Sequence, residues 1–449
     1  MKNRGTRKIV FLFLAAFCLS FFVLGGDLPK VMSLRERKDV VNKITLMRLD
    51  TLLPKVMRQT GFDMWIIACN EDNLDPVFRT MIPFDSWCPI TQILVFFDRG
   101  PELGVERLNI SRTNMLGFHT NAWDAGAWDR EKKESQWSAL ARIVKERNPR
   151  KIGINESTVI WAADGLTSSL KQTLIETIGP AFASRLQSAE KLSVLWLETL
   201  LDPEFELFER AVAISHAVIA EAFSGQVITP GVTTVDDLRY YYWQRIEDLG
   251  LERSFLPSFS IRGRDPKEVE KYGKDDRVIR PGDLVHCDVG LIYLRYNTDH
   301  QEWAYVLRHG ETDAPETFKK ILAEGNRLQE IYAGEFKAGL SGNQILSNIL
   351  SKARAQGIGT PRIYSHSLGY YLHEPGPLIG LPWEQVNTEG RGEVPLVNNS
   401  CFTAELSVDA PVPEWGGKVL RLGIEQDFAF SEKGAYFMDG RQTKFHIVK

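Results

Sequence analysis

The chain has 449 residues, a length that indicates two or more domains. Of these residues 43% are hydrophobic and 25% are charged, a composition typical of a globular protein. The formal net charge of -4, with no basic block beyond the first eight residues, argues against nucleic acid as a partner. No internal repeat or low-complexity tract is visible.

The N-terminus has the pattern of an export signal. Residues 1–8 carry four cations, residues 9–24 carry no charge, and Gly25 and Gly26 provide small residues for cleavage. We therefore expect residues 1–26 to be a signal peptide and the protein to be exported, either periplasmic or secreted. The apolar run is short for a membrane span, and an uncleaved signal anchor is the alternative. No later apolar run is long enough to span a bilayer.

Four cysteines follow the predicted signal peptide, too few for a disulfide-stabilised scaffold in a chain of this length. A disulfide between Cys69 and Cys88 after export and buried free thiols are both compatible with the spacing.

Residues 35–195 are predicted to form an α/β domain. Short apolar runs at 63–69 and 92–98 indicate buried strands, and 151–155 indicates another. Residues 135–148 have the periodicity of an amphipathic helix. No cluster of residues that commonly bind metals is apparent in this half.

The pattern changes near residue 200. Residues 202–223 and 233–251 have helical periodicity, and His216 lies off the apolar stripe of the first helix, so we expect it to be exposed to solvent. From about residue 279 the period becomes two, as in an antiparallel sheet. The predicted strands are 283–290, 296–307, 400–408 and 418–430.

Four acidic residues lie in these otherwise apolar strands: Asp288, Asp299, Glu405 and Glu425. A carboxylate inside a sheet is unfavourable unless it is paired or binds a metal, and a salt bridge could satisfy any one of them alone. Four such carboxylates and His366 exceed what structural ion pairs usually need, and four carboxylates around one point would repel one another unless divalent cations lay between them. The pattern therefore favours a two-metal site for oxygen-preferring ions.

The order and spacing of these residues resemble those of one family. Asp288 and Asp299 lie eleven residues apart in HCDVGLIYLRYNTD, and His366, Glu405 and Glu425 follow in SHSLGYYLHE, FTAELS and GIEQD. This set resembles the metal ligands of the peptidases with the pita-bread fold. That family includes methionine aminopeptidases, Xaa-Pro aminopeptidases and prolidases, with creatinase as a metal-free relative.

The resemblance extends over nearly the whole chain after the signal peptide. The segment DDRVIRPGDLVHCDVG at 275–290 also resembles the family. The implied fold class is α+β, with a creatinase-type N-terminal domain over 35–195 and a pita-bread catalytic domain over 202–449. Homodimers are common in the family, so the resemblance leaves a homodimer open.

The resemblance implies a role for each ligand-type residue. Asp288 and Asp299 would bind one metal ion, with Asp299 also reaching the second. His366, Glu405 and Glu425 would complete the site, with Glu425 bridging. The expected cofactors are two divalent cations, Mn²⁺ in the first place and Co²⁺, Zn²⁺ or Fe²⁺ as alternatives.

The implied reaction is hydrolysis of a peptide bond in a short peptide or dipeptide. Divalent cations lower the pKa of water and stabilise negative charge on a carbonyl oxygen. Glu405 would take and return the proton of the attacking water. His373, seven residues after His366, would bind substrate by a hydrogen bond to the scissile group.

The sequence departs from the family at the residues around the metals. Family members usually have a histidine four residues before the ligand histidine, where this chain has Arg362. They have another about seventeen residues before the first aspartate, where ungapped counting reaches Lys271. A Thr-Arg-Thr segment often follows the second aspartate, whereas residues 300–302 here are His-Gln-Glu. We interpret Arg362 as a substrate-binding residue that can pair with a carboxylate, and an Arg362 that turns outward and pairs with a surface acid is the alternative.

Two other functions are compatible with the same fold. One is a creatinase-like C–N hydrolase of a small amide or amidine, and the complete ligand set argues against it. The other is a non-catalytic peptide-binding module, which the altered histidine positions favour and the intact ligand set disfavours. The leading prediction is a Xaa-Pro aminopeptidase or dipeptidase-like metallopeptidase.

Overall fold

The computed structural model describes residues 28–115, 117–124, 134–373 and 375–449. The predicted signal peptide lies outside the described residues, so it stays a prediction. Within the described part of the chain, every helix is too short or too polar to cross a membrane.

The first half of the chain is a mixed sheet flanked by helices. Its elements are α1 (Leu34–Met47), α2 (Leu53–Thr60), β1 (Met64–Asn70), α3 (Pro76–Thr80), β2 (Thr91–Asp98), β3 (Val105–Asn109), β4 (Thr120–Asn121), α4 (Gln136–Arg147), β5 (Ile152–Ile154), α5 (Ser168–Ile178), α6 (Pro180–Ala183), β6 (Leu186–Ser188) and α7 (Glu190–Glu198). The strand order is β4-β3-β2-β1-β5-β6. The apolar runs of β1 and β2 pair antiparallel at the centre, where helices cover them.

The helix predicted at 135–148 shows why these boundaries could be predicted from sequence. The Ser135 side chain accepts the Ser138 backbone N–H at the start of α4, and Asn148 ends the helix in the left-handed conformation at φ 44°. Both are residue types that commonly cap helices. The buried residues Ala139 and Leu140 face the sheet.

The second half begins with two helices and continues as antiparallel sheets. Its elements are α8 (Asp202–Ala222), α9 (Val235–Asp248), β7 (Glu252–Arg253), β8 (Ser258–Gly263), α10 (Pro266–Tyr272), β9 (Leu284–Val289), β10 (Leu291–Tyr293), β11 (Tyr296–Asn297), β12 (His300–Val306), α11 (Glu316–Gly334), α12 (Gly342–Ala355), β13 (Arg362–Tyr364), β14 (Ser367–Leu368), β15 (Ser400–Thr403), β16 (Glu405–Val412), β17 (Lys418–Ile424), β18 (Asp427–Ser431), β19 (Gly434–Phe437) and β20 (His446–Val448).

Three of the predicted strands are each divided in two. The strand predicted at 400–408 becomes β15 and β16, and the strand predicted at 418–430 becomes β17 and β18. The chain changes sheets at both breaks, because β15 pairs with β18 whereas β16 pairs with β17. The third break separates β11 from β12 at Thr298 and Asp299. The breaks let strands of different sheets converge on one place.

A buried cluster joins the two halves next to the segment that carries His366 and His373. The Arg48 guanidinium donates to Glu204 at 2.6 Å, and both side chains are fully buried. The other oxygen of Glu204 accepts the hydroxyls of Tyr296 and Tyr370, each at 2.9 Å. Arg48 also lies over the ring of Trp196. Loss of either charged partner would leave the other buried and uncompensated, so this contact between the halves is unfavourable to break.

Two sequence-based expectations can be resolved by the fold. Cys69 and Cys88 are free and buried, as are the other two cysteines of the described chain. The expectation that His216 is exposed is wrong, because its side chain keeps only 17% of its accessible surface. Its Nδ1 lies 2.9 Å from Asp439 and its Nε2 lies 3.0 Å from Gln426, two residues far away in sequence.

Candidate metal centre

A row of side chains crosses the strands at the point where the sheets meet. Asp288 lies opposite Gln301 in the β9–β12 pair, and Gln301 lies opposite Glu425 in a bridge that joins the two sheets. Glu405 is the first residue of β16, and Glu425 comes directly after β17. The next residues along these strands, Leu406 and Ile424, lie opposite each other. Directly opposed residues in antiparallel strands project to the same face. The row therefore brings three carboxylates together.

Asp299 and His366 complete the cluster. Asp299 lies two residues before Gln301, and its Oδ2 is 3.8 Å from Nε2 of His366. The described residues contain three groups of three side chains that could each hold a metal ion. Within each group, one potential ligand atom per side chain lies within 4.8 Å of the other two. The groups are Asp288 with Asp299 and Glu425; His366 with Glu405 and Glu425; and Asp299 with His366 and His373.

The His366 ring is held with one nitrogen directed away from the protein backbone. Its Nδ1 lies 3.2 Å from the Ser367 carbonyl oxygen, which only accepts, so Nδ1 carries the proton and Nε2 a lone pair. The Thr403 N–H donates to the His366 carbonyl at 3.0 Å and fixes the backbone. Burial and the neighbouring His373 ring lower the pKa of His366 to about 3, so the ring is neutral and able to bind a cation.

The four carboxyl groups all have pKa values above their usual range. Burial raises the pKa of Asp288 to about 6, although the Arg262 charge opposes the shift. Burial and the Asp288 charge raise the pKa of Glu405 to about 7, against a hydrogen bond from Gln301. Burial and neighbouring carboxylates raise the pKa values of Asp299 and Glu425 well above their usual range. A divalent cation would relieve this repulsion and favour the ionised groups.

The atoms left without partners fit a metal-binding role. Asp299 Oδ1, His366 Nε2 and Glu425 Oε1 are each buried and have no hydrogen-bond partner among the described residues. Buried polar atoms rarely lack a partner unless an ion or water satisfies them. Carboxylate oxygens with one imidazole nitrogen suit Mn²⁺ and related divalent ions. The residues present therefore fit the implied metal ions.

Gln301 was not among the predicted site residues, although it lies at the centre of the row. Its Nε2 donates to Glu405 Oε1 and to Glu425 Oε2, each at 2.8 Å. Strand alternation from Asp299 places Gln301 on the same face, so the sequence did contain the signal. Glutamine is not one of the residue types that usually bind metals, so a search for ligand-type residues does not select it.

The two predicted substrate-binding residues lie at the margin of the cluster. His373 is exposed, and its ring centroid is 4.6 Å from that of His366. Arg362 lies opposite Ser407 at the start of β13, two residues from Tyr364, which lies opposite Glu405. Arg362 is therefore on the same face as the carboxylates. Its Nε is buried and has no hydrogen-bond partner among the described residues.

A second ionisable cluster lies on the other face of β12. Glu302 Oε2 is 2.5 Å from Nε2 of His446, and Glu302 Oε1 is 3.6 Å from Nε2 of His216. The His300 ring lies 4.6 Å from that of His216, measured between centroids. Burial opposes the ionisation of Glu302, but the His446 hydrogen bond and the histidine charges outweigh it and lower its pKa to about 2.

Residues 206–432, half of the chain, match metallopeptidase family M24. No curated protein sequence matches the chain. Solved structures with a similar fold include an X-Pro aminopeptidase from Thermotoga maritima, at 18% identity and TM-score 0.61, over 88% of this chain and 100% of that one. A Xaa-Pro dipeptidase from Bacillus anthracis matches at 18% identity and TM-score 0.59, over 90% and 100% of the two chains.

A prolidase from Pyrococcus horikoshii is similar at 14% identity and TM-score 0.54, over 89% of this chain and 98% of that one. At sequence identities this low, the structural similarity is evidence for the fold alone. The predicted α+β fold, with a pita-bread domain after a creatinase-type domain, is confirmed.

Proposed function

The chain belongs to metallopeptidase family M24, and on this premise we propose that it is an exported hydrolase that uses two divalent cations to cleave short Xaa-Pro peptides or dipeptides. The observation that carries the proposal is the cluster of four carboxyl groups and His366 with unpartnered buried atoms. Mn²⁺ is the proposed ion, with Co²⁺, Zn²⁺ and Fe²⁺ as alternatives.

Two cations are favoured over one by the number of ligands. Asp288, Asp299 and Glu425 form one candidate group, whereas His366, Glu405 and Glu425 form another. Glu425 belongs to both groups, which supports a bridging role. When bound, such ions supply Lewis acidity and lower the pKa of a water molecule.

The proposed catalytic steps of the protein itself are proton transfers and hydrogen bonds. Glu405 would accept the proton of the attacking water at a carboxylate oxygen and return it to the leaving amine. A bound cation would lower this raised pKa, so Glu405 would be ionised and able to accept a proton at neutral pH. Desolvation by the surrounding protein and the Arg391 charge lower the pKa of His373, so its neutral ring can donate one hydrogen bond to the oxygen of the scissile carbonyl.

Arg362 supports a preference for short substrates with a free carboxylate. It is on the face of the carboxylate row, and its buried Nε has no partner among the described residues. A guanidinium can bind a carboxylate through two parallel hydrogen bonds. Imidazole, which the family usually has at this position, cannot make such a pair.

The test is the metal content and hydrolytic activity of the purified protein after removal of residues 1–26. We expect two Mn²⁺ ions per chain after reconstitution and hydrolysis of an Xaa-Pro dipeptide that a chelator abolishes. Cleavage of a small amide, but of no peptide, by a protein without bound ions would support the creatinase-like alternative. No bound ion and no hydrolysis would support the non-catalytic module and contradict the proposal.

Export rests on the pattern of residues 1–26. The full-length chain, expressed in a bacterial host, should appear outside the cytoplasm with a new N-terminus near residue 27. A cytoplasmic product that keeps Met1 would contradict export. A product that stays in the membrane fraction with Met1 would support the signal anchor instead.

A further inference from the structure

A neutral amide lies in the middle of the carboxylate row. Gln301 is 8% exposed, and its Nε2 donates to one oxygen of Glu405 and one oxygen of Glu425 at 2.8 Å. Its backbone N–H and carbonyl also pair with those of Glu425, at 3.1 and 3.2 Å. Gln301 thus links the two sheets through the backbone and two candidate ligands through the side chain.

The orientation of this amide is fixed by a buried histidine. His286 lies 3.1 Å from the amide oxygen of Gln301 through its Nε2, and its ring packs edge-on against Trp303 at 4.8 Å between centroids. Because the amide oxygen only accepts, His286 Nε2 carries the proton, and the amide NH₂ must face the glutamates.

The amide leaves a defined set of carboxylate atoms for a cation. It occupies Glu425 Oε2, whereas Glu425 Oε1 has no partner among the described residues. Groups that hydrogen-bond to metal ligands orient them, and their loss usually weakens metal binding. We propose that Gln301, oriented by His286, is a positioning residue that holds Glu405 and Glu425 for metal binding and proton transfer. This inference rests on the proposed two-metal function.

The test measures Mn²⁺ affinity by calorimetry in the wild type, Gln301→Met, His286→Phe and the double variant. Methionine keeps the length and neutrality of glutamine but cannot donate, and phenylalanine keeps the packing on Trp303. We expect Gln301→Met to weaken Mn²⁺ binding about 10–100-fold. His286→Phe should weaken it less in the wild type and not at all in the Gln301→Met background, since the two residues act as a unit.

Steady-state kinetics at saturating Mn²⁺ give a second readout. A misoriented Glu405 should lower kcat about 10-fold, as expected for impaired proton transfer, while KM changes less than about 2-fold. A residue that only supports folding would lower the stability of the metal-free protein without this separation of kcat from KM.

Gln442, in the segment before β20, provides a matched control. It is a buried glutamine whose side chain bonds only to the backbone of Trp303, at 3.0 and 2.8 Å. Gln442→Met should lower stability but leave Mn²⁺ affinity unchanged. If the wild type binds two Mn²⁺ ions and Gln301→Met binds them equally well, the positioning role is overturned and the proposed function stands. If the wild type binds neither Mn²⁺ nor Co²⁺, Zn²⁺ or Fe²⁺, both are overturned.

Discussion

The two faces of β12 present carboxylates in opposite electrostatic states. Glu425, beside Gln301 on one face, is 1% exposed, and Glu302 on the other face is 4% exposed. Burial is therefore nearly the same, yet the pKa of Glu425 is raised well above its usual range and that of Glu302 is lowered to about 2. The difference lies in their partners, which are carboxylates around Glu425 and histidines around Glu302.

The contrast distinguishes two ways of compensating buried charge. On one face protein side chains neutralise one another, and on the other face an external cation is needed. On the Glu302 face, burial opposes the charge of His216, but Asp439 and Glu302 outweigh it and raise the His216 pKa. Protein charges thus neutralise one another there. On the Gln301 face, the charged groups that act on Asp299 and Glu425 are other carboxylates. A buried charge persists only if it is compensated, so that face favours divalent ions.

Much of the fold and the candidate ligand set could be predicted from local sequence. Alternation identified the strand carboxylates, and their spacing indicated the family. The strand breaks at Asp299, Ala404 and Glu425 could not be predicted, because they depend on pairing between sheets distant in sequence. The prediction that His216 is exposed is wrong because helical periodicity identifies only the apolar face of a helix. It contains no information about contacts with distant residues such as Asp439.

Removal of a shared ligand should have the largest effect and break the carboxylate row. Asp299→Ala or Glu425→Ala should weaken Mn²⁺ binding by more than about 100-fold and abolish hydrolysis, because each removes an anion that belongs to two candidate groups. Asp409→Asn is the control, since Asp409 lies on β16 but pairs with Arg421 outside the row. Two tightly bound ions in either alanine variant would refute the ligand assignment.

Replacement of the proposed base should separate catalysis from metal binding within the row. Glu405→Gln keeps the shape and one oxygen of the side chain, so the fold and much of the bound metal should remain. Turnover should fall about 100-fold or more, because an amide cannot shuttle the proton. Kinetics and metal analysis on the same samples measure both quantities. Turnover near that of the wild type would mean that another residue is the base.

Disruption of the opposite face should affect stability instead of metal binding. The pKa of Glu302 is lowered in the folded state, so its stabilisation is present above the unfolded pKa and is lost as pH falls toward 2. The His216 pKa is raised, so its contribution is lost as pH rises through that value. The pair should therefore stabilise most between about pH 4.5 and 6.5, the ordinary values of the two groups.

Urea unfolding of metal-free protein measures this contribution. Glu302→Gln should lower the free energy of unfolding by about 3 kcal/mol near pH 6, as a shift from 4.5 to about 2 implies. The difference from the wild type should shrink as pH falls toward 2.5. A difference that does not depend on pH would mean that Glu302 acts by packing and not by charge.

The smallest expected effect concerns the one arginine that the sequence placed at the site. If the Arg362 guanidinium reads a substrate carboxylate, replacing a dipeptide with its C-terminal amide should lower kcat/KM about 10-fold in the wild type, as loss of a charge-assisted hydrogen bond implies. Arg362→Ala should remove this discrimination, and Arg362→His should shift the preference toward longer Xaa-Pro peptides.

Arg421→Ala is the matched control, because Arg421 is exposed and already paired with Asp409. The same ratio of dipeptide to amide in the wild type and in Arg362→Ala would show that Arg362 does not read the carboxylate. The carboxylate row would then select its substrates without this cation.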